Sequence, residues 1–189
     1  MRISIAALAI ATSFLMGTAA NANLVTNPGF ETGDFTGWTQ GGNTGFSGVD
    51  NATPHSGTYA AFFGPVLSNG TLSQTLATTP GDTYSIDFWL ANEDTSGNNF
   101  FSVSFDGNVL NSMTDASSFG YTEFNFSGLA STSSTVLEFA FLNPIAVWDL
   151  DDVSVAPSVA PVPEPLTLSI FGAGLVGAVA MRRRRKLNA

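Results

Sequence analysis

The 189-residue chain carries fifteen acidic and six basic residues, one histidine and no cysteine, for a formal charge of −9. The basic residues are all terminal (Arg2 and the block 182–186), so residues 23–165 hold every Asp and Glu but no Lys or Arg. This excludes polyanionic nucleic acid as a partner, since phosphate binding needs Lys or Arg to displace counterions. The missing thiol excludes disulfides, thiol catalysis, thiolate zinc sites and iron–sulfur clusters.

At the front, Arg2 precedes an apolar run over residues 3–16 and then "GTAANAN". This order predicts a secretory signal over residues 1–22, cut after the small-x-small triplet Ala20-Asn21-Ala22, with Asn23 as the mature first residue. The Sec translocon and a signal peptidase are the partners it implies. From 23 to 156 the chain is rich in Gly, Ser, Thr, Asn and Phe, long enough for one domain to bury a core without disulfides. Leu72, Gln74 and Leu76 fall on one face of "TLSQTLATT" (71–79), and Tyr84, Ile86, Phe88 and Leu90 on one face of "DTYSIDFWLAN" (82–92). Phe101, Val103 and Phe105 share a face in "NFFSVSFDGNVL" (99–110), where Asp106-Gly107 is a hairpin-type turn. "YTEFNFSG" (121–128), "TVLEFAFLN" (135–143) and "AVWDLDDVSV" (146–155) repeat the period of two. Such strands with turns every 8–15 residues predict an all-β, antiparallel β-sandwich.

Pro157, Pro161, Pro163 and Pro165 then make an extended linker, assigned to residues 157–162. The uncharged run 166–181 has 16 residues, roughly 24 Å as a helix, and five cations follow it. That is a short transmembrane helix whose basic end snorkels and stays cytoplasmic. The body is therefore expected outside the cytoplasm, tethered to the inner membrane before processing.

Val162-Pro163-Glu164-Pro165, the apolar run and the basic block together resemble the PEP-CTERM sorting domain of Gram-negative bacteria, here over residues 163–189. Thr167 and the glycines at 172, 174 and 177 fit the same pattern. The resemblance implies recognition by an exosortase, with Pro163, Glu164 and Pro165 as the sorting motif. It also implies cleavage near that motif and delivery to the cell surface or an exopolysaccharide matrix. Consecutive prolines keep the motif extended, as a protease-like cleft requires.

"NLVTNPGFETGDFTGWTQ" (23–40), "HSGTYAAFFG" (55–64) and "WDLDDVSV" (148–155) resemble carbohydrate-binding modules and galactose-binding-like jelly rolls. That family often holds a structural calcium. Carried onto this chain, Glu31 and Asp152 would supply side-chain oxygens, Ser56 and Gly57 backbone carbonyls, and Asp34 a further contribution. The chemistry agrees, since a hard cation takes six to eight oxygens and these acids have no basic partner. Asp151 falls on the opposite face from Asp152 in a regular strand.

Sugar binding by stacking on aromatics makes Trp89, Trp148 and Tyr121 the candidate ligand contacts, with Trp38 assigned to the core. An enzyme is weakly supported. His55 is the single histidine, and "GFSGV" (45–49) departs from G-x-S-x-G at Val49. Glu123 and Glu138 are the only carboxylate pair to consider for hydrolysis, and "DLDD" lacks EF-hand spacing. The reading is an exported, non-catalytic surface or matrix protein that binds or organises exopolysaccharide. The alternatives are a structural surface protein without a specific ligand, and a glycan hydrolase.

Overall fold

Apolar side chains at every second position, with polar ones between, leave a strand one dry face and one wet face, and two such sheets bury their dry faces together. The computed structural model describes residues 22–158, which form ten strands and no helix. The signal peptide through residue 21, and the sorting motif, transmembrane run and basic end beyond residue 158, lie outside the described residues.

The strands are β1 (Thr39–Gly42), β2 (Ser47–Asp50), β3 (Ala60–Phe63), β4 (Gly70–Ala77) and β5 (Thr83–Asn92), then β6 (Phe100–Phe105), β7 (Asn108–Thr114), β8 (Phe119–Leu129), β9 (Ser134–Leu142) and β10 (Trp148–Pro157). Sheet A has the order β1-β4-β9-β6-β7 and sheet B the order β2-β3-β10-β5-β8. Every neighbouring pair is antiparallel. The sandwich expected from the sequence is thus present, with its long strands where the alternation places them. Asp106 and Gly107, at φ 53° and 75°, make the tight turn between β6 and β7.

Leu72, Leu76, Phe101, Val103, Phe105, Leu137, Phe139 and Phe141 of sheet A meet Tyr84, Ile86, Phe88, Leu90, Leu150, Val153 and Val155 of sheet B, all buried. Phenylalanines carry much of this contact. Phe63 and Phe141 stack at 4.0 Å, and the edge of Phe88 meets Phe139 at 5.2 Å. Ring pairs of this kind add to the area term of burial. Gln74 is buried among them because its amide clamps one backbone unit: Oε1 accepts from Thr26 N at 2.7 Å and Nε2 donates to Thr26 O at 3.0 Å. The N-terminal segment is held again at β10, where the Asn23 side chain bonds Val153 O and Val155 N. The buried core lies entirely between Val25 and Val155.

β10 departs from a regular strand. Its pairing with β5 shifts between Asp151 and Ser154, and Asp152 sits at φ 49°. Trp148 and Leu150 face the core before this bulge, and Val153 and Val155 after it. The extra residue turns Asp151 and Asp152 away from the core side by side, whereas a regular strand would separate them by face.

Candidate functional site

On the outer face of sheet B, Trp89 of β5 lies between Asp151 of β10 and Glu123 of β8, directly across the strands. Residues 51–59, which join β2 to β3, are strapped down over this face. His55 N and Ser56 N donate to Asp151 Oδ2 at 2.9 and 3.1 Å, and Asp152 N donates to Asp151 Oδ1 at 2.8 Å. Ser56 Oγ donates to Asp152 Oδ1 at 2.8 Å, and His55 Nδ1 pairs with Asp152 Oδ2 at 2.7 Å. Tyr121 donates its hydroxyl to Thr53 O at 2.8 Å.

The Glu31 carboxylate anchors the far end of the strap, accepting from Thr58 N at 2.9 Å and Tyr59 N at 3.1 Å. Gly57 makes this approach possible. Its φ is +63°, and a Cβ there would overlap Glu31 Oε1. The strap therefore supplies backbone N–H groups to carboxylates that have no Lys or Arg to meet.

The His55 imidazole stacks on the Trp89 indole at 3.8 Å with 15° between planes, and Tyr121 meets His55 edge-on at 5.3 Å. All three rings lie outside the core and are partly exposed. One indole face is thus taken by His55. Burial also changes the acids beneath the strap. Asp149, 4% exposed, has its carboxyl pushed up to about 7, first by desolvation and then by the charges of Glu93 and Asp50. Asp151, fully buried, is pushed up to about 6 by desolvation, against the pull of backbone N–H groups. The Tyr121 phenol is raised well above its ordinary value by burial, then by the charges of Asp149, Asp151, Asp152 and Asp50.

The four residues expected at a cation are brought together. A Cβ placed on Gly29 would come 3.4 Å from Asp152 Oδ1, 3.5 Å from Asp151 Oδ1 and 3.7 Å from Glu31 Cγ. Ser56 and Gly57 touch the same carboxylates. Asp151 joins this group, which the expectation of a regular strand did not foresee. Asp34 instead closes its own turn, accepting from Thr32 Oγ1 and Thr36 N, and those bonds lower its pKa. Among the described residues no three His, Asp or Glu side chains stand together in metal-ligating geometry.

Trp89 and Tyr121 lie on the outer face, as a ligand contact requires. Trp148 does not. It is fully buried, its Nε1 donates to Leu142 O at 3.1 Å, and its ring packs on Phe101 and Phe119. It shares the inward parity of Leu150, so the ligand role expected of it is corrected to a core role. Trp38 is buried, as expected, with its ring stacked on Phe30.

Glu123 and Glu138 stand on opposite sheets: Glu123 pairs with Trp89 in sheet B, and Glu138 with Ser73 and Ser104 in sheet A. They cannot act on one bond. "GFSGV" leads into β2 without the strand–elbow–helix that a nucleophilic serine needs. Two features escaped the sequence reading. Asp149 carried no signal beyond its place in "WDLDD". Phe62 is partly exposed beside it, its ring leaning over Gly48, where a Cβ would meet the ring at 2.8 Å.

Residues 161–185 match the PEP-CTERM protein-sorting motif. No curated protein matches the chain in sequence. Among solved structures, the chain is similar to TmCBM61, determined with β-1,4-galactotriose, at 23% identity and a TM-score of 0.54 over 72% of this chain and 99% of that one. It is similar to the CBM22-1 xylan-binding domain of Paenibacillus barcinonensis Xyn10C at 18% identity and a TM-score of 0.56, over 76% and 99% of the two chains. It is also similar to the K1 cleaved adhesin domain of Lys-gingipain from Porphyromonas gingivalis, at 15% identity and a TM-score of 0.54, over 69% and 96%. At these identities the likeness is one of fold, a β-sandwich jelly roll.

Proposed function

We propose that the chain is an exported surface module that binds neutral exopolysaccharide without catalysis and is sorted through its tail by an exosortase. In this reading the Sec pathway delivers it, signal peptidase trims it, and the precursor waits in the inner membrane of a Gram-negative cell before release to the surface or matrix. The sorting motif and the carbohydrate-binding fold support the two halves of the proposal.

The observation that carries the glycan half is the ring group Trp89, His55 and Tyr121 on the outer face, bordered by Glu123 across from Trp89 and by Asp50, whose charge reaches Tyr121. Rings take the C–H face of a pyranose, and carboxylates accept from its hydroxyls. Because one indole face belongs to His55, the sugar meets the open edge of the stack and the Tyr121 ring. A body without Lys or Arg disfavours acidic glycans, which makes neutral polysaccharide the class. In pull-downs of residues 23–158 on a panel of neutral polysaccharides, W89A and Y121A should each weaken binding by about tenfold or more. Retention of full binding by both variants would remove the ring group as the site.

A structural calcium at the Gly29 junction is the second element proposed. The donors fit a hard cation by type: the carboxylates of Glu31 and Asp152, with the backbone carbonyls of Ser56 and Gly57, in a body with no competing Lys or Arg. When bound, the ion would neutralise carboxylates that now rely on N–H and O–H groups alone. Calcium at about 100 times its dissociation constant should add roughly 2.7 kcal/mol to the stability of the sandwich. A melting temperature unchanged between chelator and millimolar calcium would rule the ion out.

A further inference from the structure

β8 is the terminal strand of sheet B, and among the described residues its paired neighbour is β5. Phe124 and Phe126 stack inward on Phe88. Glu123, Asn125 and Ser127 therefore stand together on the outer face, and all three are exposed. In chain order they spell Glu-x-Asn-x-Ser, with phenylalanine in both gaps. Asn-x-Ser/Thr without an intervening proline is the acceptor of N-linked glycosylation in exported chains. Bacterial transferases of this class require, in addition, an acidic residue two places before the asparagine.

Two other triplets have the hydroxyl without the acid. Asn51-Ala52-Thr53 and Asn69-Gly70-Thr71 carry Val49 and Leu67 at the position that Glu123 fills.

We propose that Asn125 is an N-glycosylation site, its donor an oligosaccharide carried on a polyprenyl diphosphate at the outer face of the inner membrane. In the transfer, the Asn125 amide nitrogen attacks C1 of the reducing-end sugar. The N–C1 bond forms and the bond from C1 to the diphosphate oxygen breaks. Polyprenyl diphosphate leaves with that electron pair, and one amide proton passes to a base of the transferase. No oxidant or reductant takes part. A strand paired into a sheet cannot bend into an enzyme cleft, so the step belongs to export, before β8 meets β5.

The folded protein accommodates the product. Asn125 faces Asp87 across the strands, and its amide donates to Asp87 Oδ1. A glycosylated amide keeps one N–H, enough for that bond, while Ser85 Oγ donates to Asp87 Oδ2 at 3.0 Å. The sugar leaves on the wet side of the sheet and displaces no core contact. It also offsets a liability of β8, which places 11 residues at the sheet edge with one charge and no Lys, Arg or Pro. Such an edge invites pairing with another chain, and a bulky solvated glycan obstructs it.

The inference rests on the export proposed for this chain, and mass spectrometry of the protein from its own cells tests the two separately. The expected product begins at Asn23 and carries a hexose or N-acetylhexosamine chain on Asn125. N125Q, S127A and E123Q should each abolish the modification, S127T should retain it, and N51Q and N69Q should leave it unchanged. A chain that begins at Asn23 with Asn125 bare would overturn the site and leave export standing. Glycan on Asn51 or Asn69 instead, or glycan that persists on Asn125 in E123Q, would also overturn it. A chain that retains residues 1–22 would remove export, and the site with it.

Discussion

The two outer faces of the sandwich meet the same constraint, acids without cations, in different ways. On sheet A, Ser73, Glu138 and Ser104 stand in line across three strands, with Thr71, Ala140 and Ser102 in the next rank, and all six remain partly exposed. Their one acid is solvated. On sheet B the corresponding ranks set Asp50 opposite Ala60 and bring Asp151, Trp89 and Glu123 into line. Ala60 and Asp151 are buried although they face away from the core, because the 51–59 strap lies over them. A buried carboxylate needs partners. Here the N–H groups of His55, Ser56, Thr58 and Tyr59 serve where an Arg or Lys would stand elsewhere. The outer face of sheet B thus depends on the path of one loop, and that of sheet A does not.

The sharpest way to break this contrast is Gly57→Ala. It forces a side chain onto a left-handed residue and drives the Glu31 carboxylate off Thr58 and Tyr59. Backbone strain and the lost hydrogen bonds together should cost about 2 kcal/mol in chemical denaturation. Gly41→Ala is the matched change on sheet A, where the new Cβ meets only the Thr71 hydroxyl, which can rotate away. It should cost under about 1 kcal/mol. Equal costs would show that the strap is not what holds the sheet B acids.

A change of similar size is Asp149→Asn. The Asp149 carboxyl is raised to about 7 in the fold from an ordinary 3.8, mainly by burial. The folded state therefore holds this proton more tightly than the unfolded chain. Its contribution to stability is whole below about pH 4 and is lost as pH rises through 7. The amide keeps the contact with the Thr53 side chain and removes the charge. The variant should match wild type near pH 4 and exceed it by about 2–3 kcal/mol at pH 8. Asp34, Asp94 and Asp106, whose pKa values are lowered by hydrogen bonds, have the opposite slope. They are untouched by the substitution and cancel in the comparison. An advantage that did not change with pH would mean that the buried charge is not the cause.

The same contrast explains what could be read from the chain and what could not. β4, β5 and β9 are legible because each alternates over eight or more residues and buries every second one. β1, β2 and β3 have four residues each and little alternation, so only their neighbours define them as strands. The gathering of Glu31, Ser56, Gly57 and Asp152 came from a family resemblance. The strap that gathers them bonds residues 95–97 positions apart, beyond any local pattern. Asp151 and Asp152 share a face because a bulge with Asp152 at φ 49° breaks the alternation, and that bulge is not written in "LDDV". Trp148 was misjudged for a simpler reason. Its parity with Leu150 already pointed inward, and its size alone made it look like a ligand platform.

The smallest effect concerns the missing cations themselves. Ser104 lies directly across from Glu138 on the open face of sheet A, so Ser104→Lys would give the body its first cation with a partner in reach. Both groups would stay in water, where a cross-strand ion pair is worth roughly 0.2–1 kcal/mol and salt screens it. A gain of under about 0.5 kcal/mol that fades in high salt is the expected outcome of paired denaturation curves. A larger, salt-insensitive gain would mean that Glu138 is as desolvated as Asp149, and the distinction between the faces would fail. On the expected result, sheet A gains almost nothing from a cation. On sheet B the same deficiency has shaped the fold, because there Asp149 and Asp151 are dry and the strap brings backbone N–H groups to Asp151.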